Sequence, residues 1–279
     1  IGVPLGLGKP VELINALYAR AKKDPSLQLT VLTALSLEKP TPSSSIEKAF
    51  LEPFLARVFG DCPSLDYMAD LRRKKLPPNV RVLEFFFKAG SRMDNALAQQ
   101  DYICTNYTFA ARDVFEQGCN VSAQVVARRG ERYSLSCNPD TSPELNAMLR
   151  ASGRRHAVIG LVNHNLPFMQ NDAEVGADSF DFIVDHPRYT TTLFSTPRSA
   201  VGTADYAIGL HASALVRDGG TLQLGIGALG DAIVHALKLR HTHNAQYRAL
   251  TSELRVPEEL STRLGGSGPF EQGLYGATE

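Results

Sequence analysis

The chain has 279 residues and a mass of 30.4 kDa, with 43% hydrophobic, 21% charged and 8% aromatic residues. That composition belongs to a globular protein, which excludes a disordered or fibrous chain, and the length allows one large domain or two ordinary ones. Twenty-nine Lys and Arg balance 29 Asp and Glu, so no net field draws the protein to nucleic acid or to an anionic membrane, and no apolar run approaches the roughly 18 residues of a membrane helix.

The chain opens at Ile1 without Met, inside what reads as a working segment, and the natural protein is expected to extend further. Gly6-Leu7-Gly8-Lys9-Pro10 forms a flexible loop ahead of a helix. Val11, Ile14, Leu17 and Tyr18 recur at helical spacing from Val11 to Lys23, with Pro10 opening the helix. Residues 27–33 alternate and are β-rich, and the loop of residues 39–45 precedes an amphipathic helix at about 46–59. Strands are expected at 80–87, 121–127, 156–162 and 180–184, the last three as continuous apolar runs of the kind found in sheets covered on both faces. Helical patterns at about 106–117 and 143–151 lie between them. This alternation of β and α predicts a parallel α/β sheet.

Residues 187–202 are rich in Pro, Thr, Ser and Arg and mark a boundary. The expected domains are residues 1–190 and the truncated opening of a second, similar domain at 200–279. The latter begins with a helix at about 204–216, an Asp218-Gly219-Gly220 turn, a strand at 221–224, a Gly-x-Gly turn and a helix at about 229–240. No repeat of fixed period is visible. Arg72-Arg73-Lys74-Lys75 reads as a solvated helix end.

The densest local signal is the strand that runs through Gly225-Ile226-Gly227-Ala228-Leu229-Gly230 into a helix. Backbone N–H groups in such a turn can hold an anion. The glycine spacing matches the dinucleotide fingerprint in part, yet no acidic residue closes a second strand about 20 residues on. Three readings stay open: a dinucleotide, close strand-to-helix packing without a ligand, or another anionic or carbonyl ligand. Lys9 lacks the spacing of a P-loop lysine. His235, His241 and His243 read as residues of a helix C-terminus rather than as metal ligands, and no metal site is expected. No G-x-S-x-G elbow is present. Cys104 and Cys119 read as packing residues. With Cys62 and Cys137 they stand singly, without C-x-x-C, which suits a reducing cytoplasm.

Several strings together resemble the acetyl-CoA hydrolase/transferase family, within the class I coenzyme A transferases. They are Gly6 to Pro10, Phe85-Phe86-Phe87-Lys88-Ala89-Gly90-Ser91, Ala98-Gln99-Gln100-Asp101-Tyr102-Ile103 with Asn106-Tyr107-Thr108, Tyr133-Ser134-Leu135-Ser136, and Val162-Asn163 with Leu166-Pro167. The most specific is Asp218-Gly219-Gly220-Thr221-Leu222-Gln223-Leu224-Gly225-Ile226-Gly227, continuing through Leu229-Gly230-Asp231-Ala232. The resemblance implies a CoA-transferase-like α/β fold shared in outline with sugar-phosphate isomerases, and a Glu nucleophile after a Gly-rich approach. Gly273-Leu274-Tyr275-Gly276-Ala277-Thr278 matches that approach, and Glu279 falls on the nucleophile. The resemblance further implies an acyl pocket bordered by Gly6, Gly8, Gly225, Gly227, Ala228 and Leu229. The substrate it implies is a coenzyme A thioester, with a carboxylic acid as acceptor, no resident cofactor, and a homodimer of the full-length chain. Two rivals are a sugar-phosphate isomerase-like enzyme and a non-catalytic small-molecule binding module.

Overall fold

The computed structural model describes residues 1–195, 199–263 and 265–278. The chain divides into two compact units, Ile1–Ser195 and Thr196–Glu279.

In the first unit the elements are α1 (Val11–Lys23), β1 (Leu29–Thr33), α2 (Ser45–Val58), α3 (Asp66–Arg72), β2 (Val80–Glu84), α4 (Ala96–Gln100), α5 (Ala110–Glu116), β3 (Val121–Arg129), β4 (Arg132–Ser134), α6 (Ser142–Ala151), β5 (Ala157–Val162), β6 (Glu174–Val175) and β7 (Phe182–Val184). The second unit contains α7 (Thr203–Ala214), β8 (Thr221–Leu224), α8 (Ala228–Thr242), α9 (Asn244–Glu253), α10 (Glu258–Arg263) and β9 (Tyr275–Thr278).

The helical spacing at the start of the chain does what it predicts. Ile14, Tyr18 and Ala21 of α1 are buried, while Glu12 in the first turn and Arg20, Lys22 and Lys23 in the last complement the helix dipole. Pro10 sits one position earlier than a first helical residue, as the N-cap.

Strands β1 and β2 pair in parallel, as do β3 with β5 and β5 with β7. The opening residues join these ladders. The Gly2 amide donates to Val121 O at 2.8 Å and Gly2 O accepts from Ala123 N at 3.1 Å, while Val3 N donates to Leu32 O at 3.0 Å. Ile1 to Val3 therefore fill the gap between β1 and β3. A Cβ at Gly2 would stand 3.0 Å from both Leu145 Cδ2 and Val114 Cγ1, so glycine lets α5 and α6 pack tightly onto this strand. On the far edge, Glu84 bridges Tyr102 in parallel.

The expected parallel α/β sheet is present and carries an antiparallel extension. Past Val126, β3 runs on into Ala127–Arg129 and turns back as β4, which is antiparallel to it, and β6 adds antiparallel to β4. Among the described residues the fold is thus a mixed α/β arrangement around a mainly parallel sheet. Strand β2 also stops at Glu84, short of residue 87. The helix expected from 106 begins as a 3-10 turn, Tyr107–Phe109, capped by the Asn106 side chain, which accepts from Thr108 N at 3.0 Å.

Burial covers both faces of the sheet. Val31, Val82 and Ala123 pack with Ile14, Tyr18 and Tyr67, whereas Leu32 and Leu83 pack with Val114, Leu145 and Leu149 of α5 and α6. The Arg72 to Lys75 run lies exposed at the end of α3, and Arg72 pairs with Glu38.

In the second unit, β8 and β9 pair in parallel. Helices α7, α8 and α9 pack around Leu210, Ala236 and Tyr247, and the Tyr247 hydroxyl lies 3.0 Å from the Ser213 hydroxyl.

Candidate active site

In an open parallel sheet the loops beyond the carboxyl ends of the strands form the natural ligand crevice. In the first unit two clefts there share Gly6, Lys9, Cys62, Pro63 and Phe194, and one extends to Asn163 at the end of β5. Gly6 takes φ +59°, the left-handed region that favours glycine. The turn it starts is held from one side: Leu7 N donates to Asn138 Oδ1 at 3.1 Å, and Leu5 N donates to the Asp140 carboxylate. Gly6 lines both clefts, whereas Gly8 lies buried behind them against the Asn138 backbone.

Lys9 is 6% exposed and its ammonium donates to Ala34 O at 2.7 Å and to Leu35 O at 3.2 Å, just past β1. Burial pushes its pKa down to about 8, and the charges of Glu84 and Asp140 oppose that fall. Burial raises the Asp140 carboxyl against the lowering effect of the Leu5 amide. Lys9 is therefore a strut that ties the glycine loop to the end of β1. Glu84 performs the matching task at the end of β2, where its Oε1 accepts from Ser36 N at 2.8 Å.

Asn163 fixes the other wall. Its amide donates to Val126 O at 3.1 Å, its Oδ1 accepts from Asn165 N at 2.9 Å, and its Nδ2 donates to Thr191 O at 3.2 Å. The Tyr133–Ser136 and Leu166-Pro167 strings come together as well: Ser136 Oγ donates to Pro167 O at 2.6 Å, and Ser134 Oγ to Met169 O at 2.7 Å. Cys62 faces the clefts, but burial pushes its thiol up, away from the thiolate a nucleophile needs. Cys119 is buried, and burial raises its thiol likewise.

The glycine turn of the second unit divides its labour. A Cβ at Gly230 would stand 2.2 Å from Gly225 O, so Gly230 serves the close approach of α8 to the strand end. Gly225 and Gly227 have open space where a Cβ would be, and Gly227 takes φ +140° at the N-cap of α8. Ile226 and Leu229 are exposed. Ala228 opens the 15-residue α8, whose first N–H groups have no partner inside the helix. Strand β9 runs beside β8 in the register Leu222 with Gly276 and Leu224 with Thr278. Glu279 lies outside the described residues.

The histidines weighed as metal ligands have other neighbours. The His235 ring meets Tyr206 edge-on with centroids 5.3 Å apart, and His243 Nδ1 lies 2.8 Å from Thr242 Oγ1. Among the described residues no group of three or more His, Cys, Asp and Glu is placed to hold a metal ion.

Sequence reasoning missed the parts played by Lys9, Asn138 and Asp140. The sequence shows of Lys9 that it follows a glycine turn and lacks the spacing of a P-loop lysine. A lysine directly after a Gly-x-Gly turn is the signal the sequence carries, and only the fold shows that it is buried.

No family model matches the chain. It is 39% identical over 83 residues to the 4-hydroxybutyrate coenzyme A transferase of Clostridium kluyveri, a match that covers 29% of this chain and 18% of that enzyme. RipA from Yersinia pestis superposes with a TM-score of 0.55 at 17% identity, over 99% of this chain and 64% of RipA. A more distant neighbour is the 4-hydroxybutyrate CoA-transferase of Porphyromonas gingivalis, with a TM-score of 0.46 at 18% identity over 85% of this chain and 46% of that one. The chain thus spans under two thirds of the RipA length, and its match to the curated relative spans under one fifth. The 83-residue match is thus to part of a coenzyme A transferase, and the likeness to RipA shows a mixed α/β fold in common.

Proposed function

We propose that the full-length protein moves coenzyme A between short-chain acyl groups such as acetyl, with the Glu279 carboxylate as nucleophile. Attack on the thioester carbonyl forms an acyl-glutamyl anhydride and releases CoA thiolate. The thiolate then attacks the glutamyl carbonyl, which gives a glutamyl-CoA thioester and frees the acyl group as its carboxylate. An acceptor acid repeats these two steps in reverse, whereas water in its place makes the enzyme a hydrolase. Covalent catalysis of this kind splits one hard transfer into easier ones.

The observation that carries this reading is the register of β8 and β9. Thr278, which precedes Glu279 in the chain, pairs with Leu224, which precedes the Gly225-Ile226-Gly227 turn. Under this reading the N–H groups of Gly227 and Ala228 stabilise the developing oxyanion, worth about 3 to 4 kcal/mol for a well-placed donor, and Gly225 and Leu229 shape the acyl pocket. The whole protein works as a cytoplasmic homodimer without a resident cofactor. Among the described residues no helix is long and apolar enough to cross a membrane.

The test incubates the full-length protein with acetyl-CoA, alone and with succinate or 4-hydroxybutyrate, and follows free thiol and new thioester separately. New thioester without net thiol is the expected result. Thiol release without an acceptor assigns the hydrolase branch. Glu279→Gln is expected to abolish turnover and the adduct captured by borohydride or hydroxylamine. Retention of the wild-type rate by that variant would sink the assignment, and neither thiol release nor new thioester from the wild type would favour the binding module.

A further inference from the structure

Asp218 closes the turn between α7 and β8, yet its carboxylate is spent on a distant segment. Oδ2 accepts from Glu271 N at 2.9 Å, Oδ1 accepts from Gln272 N at 3.0 Å, and Oδ1 accepts again from Gly273 N at 3.1 Å. Three successive amides thus converge on one charged group. The adjoining glycines extend the clamp: Gly219 N donates to Gly273 O at 2.9 Å, and Tyr275 N donates to Gly220 O at 3.1 Å. Gly219 takes φ +72°, the left-handed region that favours glycine.

A second anchor holds the chain just upstream. The Arg240 side chain is 2% exposed; its Nη1 donates to Ser213 O at 3.0 Å and Val216 O at 2.7 Å, its Nε donates to Gly268 O at 2.8 Å, and the guanidinium lies 4.3 Å from the Phe270 ring centroid. Asn244 Nδ2 donates to Ser267 O at 2.8 Å. Residues 267–273 are therefore pinned to α7, α8 and the Asp218 turn before β9 begins.

We propose that Asp218, seconded by Arg240, is a positioning residue that sets the register of β9 and so the placement of the Glu279 carboxylate; the inference rests on Glu279 being the nucleophile. The physical reason lies in the shortness of the strands. β8 and β9 are four residues each, and so short a ladder resists sliding weakly. A slip of one residue would turn every side chain that follows to the other face. Charge-assisted bonds to three successive amides oppose that slip at its origin. Misplacement of a reacting group by about 1 Å costs on the order of a hundredfold in rate, so loss of the clamp appears in kcat rather than in KM.

The test compares Asp218→Asn, Gly273→Ala, Glu279→Gln and a control, Asp24→Asn, in the full-length protein. Asp24 likewise accepts from a nearby amide and hydroxyl, those of Ser26 at 3.0 and 2.6 Å, but holds a turn in the first unit. Asp218→Asn keeps the side-chain shape and removes the charge. Gly273→Ala leaves Asp218 intact and strains the approach itself, where φ is +86°. Both variants are expected to lower kcat and the single-turnover rate of adduct formation by about tenfold or more, to leave KM for acetyl-CoA within about twofold, and to speed amide exchange at residues 271–273, while the control changes none of these. If Asp218→Asn fails to fold, Gly273→Ala carries the decision. Wild-type kcat in the folded variants beside a dead Glu279→Gln would overturn the positioning role and leave the nucleophile standing. Activity in Glu279→Gln would overturn both.

Discussion

Gly8 passes so close to Asn138 that a Cβ built on it would stand 2.2 Å from the Asn138 main-chain oxygen. The atom in the way is backbone, and Asn138 already receives the Leu7 amide on its side chain, so neither partner has room to give. Gly8→Ala is expected to destabilise the first unit by about 1–3 kcal/mol, the usual cost of overpacking, read as a lowered denaturation midpoint. Gly225→Ala adds the same methyl group into open space and is expected to change stability by less than about 0.5 kcal/mol. Under the proposed function it nonetheless lowers kcat/KM. A variant with neither effect would remove Gly225 from the pocket.

Lys9 gives a pH dependence with a definite sign. Below pH 8 it is charged in both the folded and the unfolded chain, and its burial costs stability throughout. Between about 8 and its ordinary value of 10.5 the unfolded chain keeps a proton that the folded chain has released, so stability rises with pH. Above 10.5 the group is neutral in both states. Relative to Lys9→Met, the wild type is expected to gain stability by about 1 kcal/mol per pH unit across that window. Urea unfolding of the pair at about pH 7.5 and about pH 9.5 reads the change; a difference that stays flat would show that Lys9 keeps its ordinary pKa.

Asn79 ties three elements together from a buried position. Its Nδ2 lies 2.9 Å from Ala21 O at the end of α1, 3.3 Å from Asp24 O, and 2.8 Å from Leu27 O just before β1. Asn79→Ala leaves these carbonyls short of a donor, and buried unsatisfied groups cost about 1–3 kcal/mol. The expected result is a loss of that size in urea unfolding, with the amides near residues 24–29 exchanging faster than those of β5. Equal acceleration everywhere would mean that the joint is not local.

Much of the fold was legible in the chain. The periodicity of α1, the apolar runs of β3 and β5 and the turn that separates α7 from β8 are local signals, and the elements stand within a few residues of where they were expected. β4 and β6 were not legible because three residues and two residues carry no pattern. Helix α3 buries Tyr67, Met68 and Leu71 in seven residues, too few to show a period. Residues 1–3 are too few to show a strand pattern, and they behave as a strand because β1 and β3 lie on either side to take their hydrogen bonds. Of the candidate site residues, the glycine turns and Glu279 came by resemblance, and the same strings contain Lys9, Asn163 and Asp218 without showing which partners their side chains find.

By itself, then, the amino-acid sequence determined which segments coil and which extend, and which glycines lead from a strand to a helix, because apolar periodicity and turn chemistry act between neighbours. Tertiary structure alone decided what those segments hold. Asp218 meets the amides of residues 53 to 55 positions further on, Leu5 meets Asp140 across 135, and Lys9 finds its acceptors 25 and 26 residues away. Such pairs exist only once burial has brought distant segments together and desolvation has obliged each polar group to find a partner.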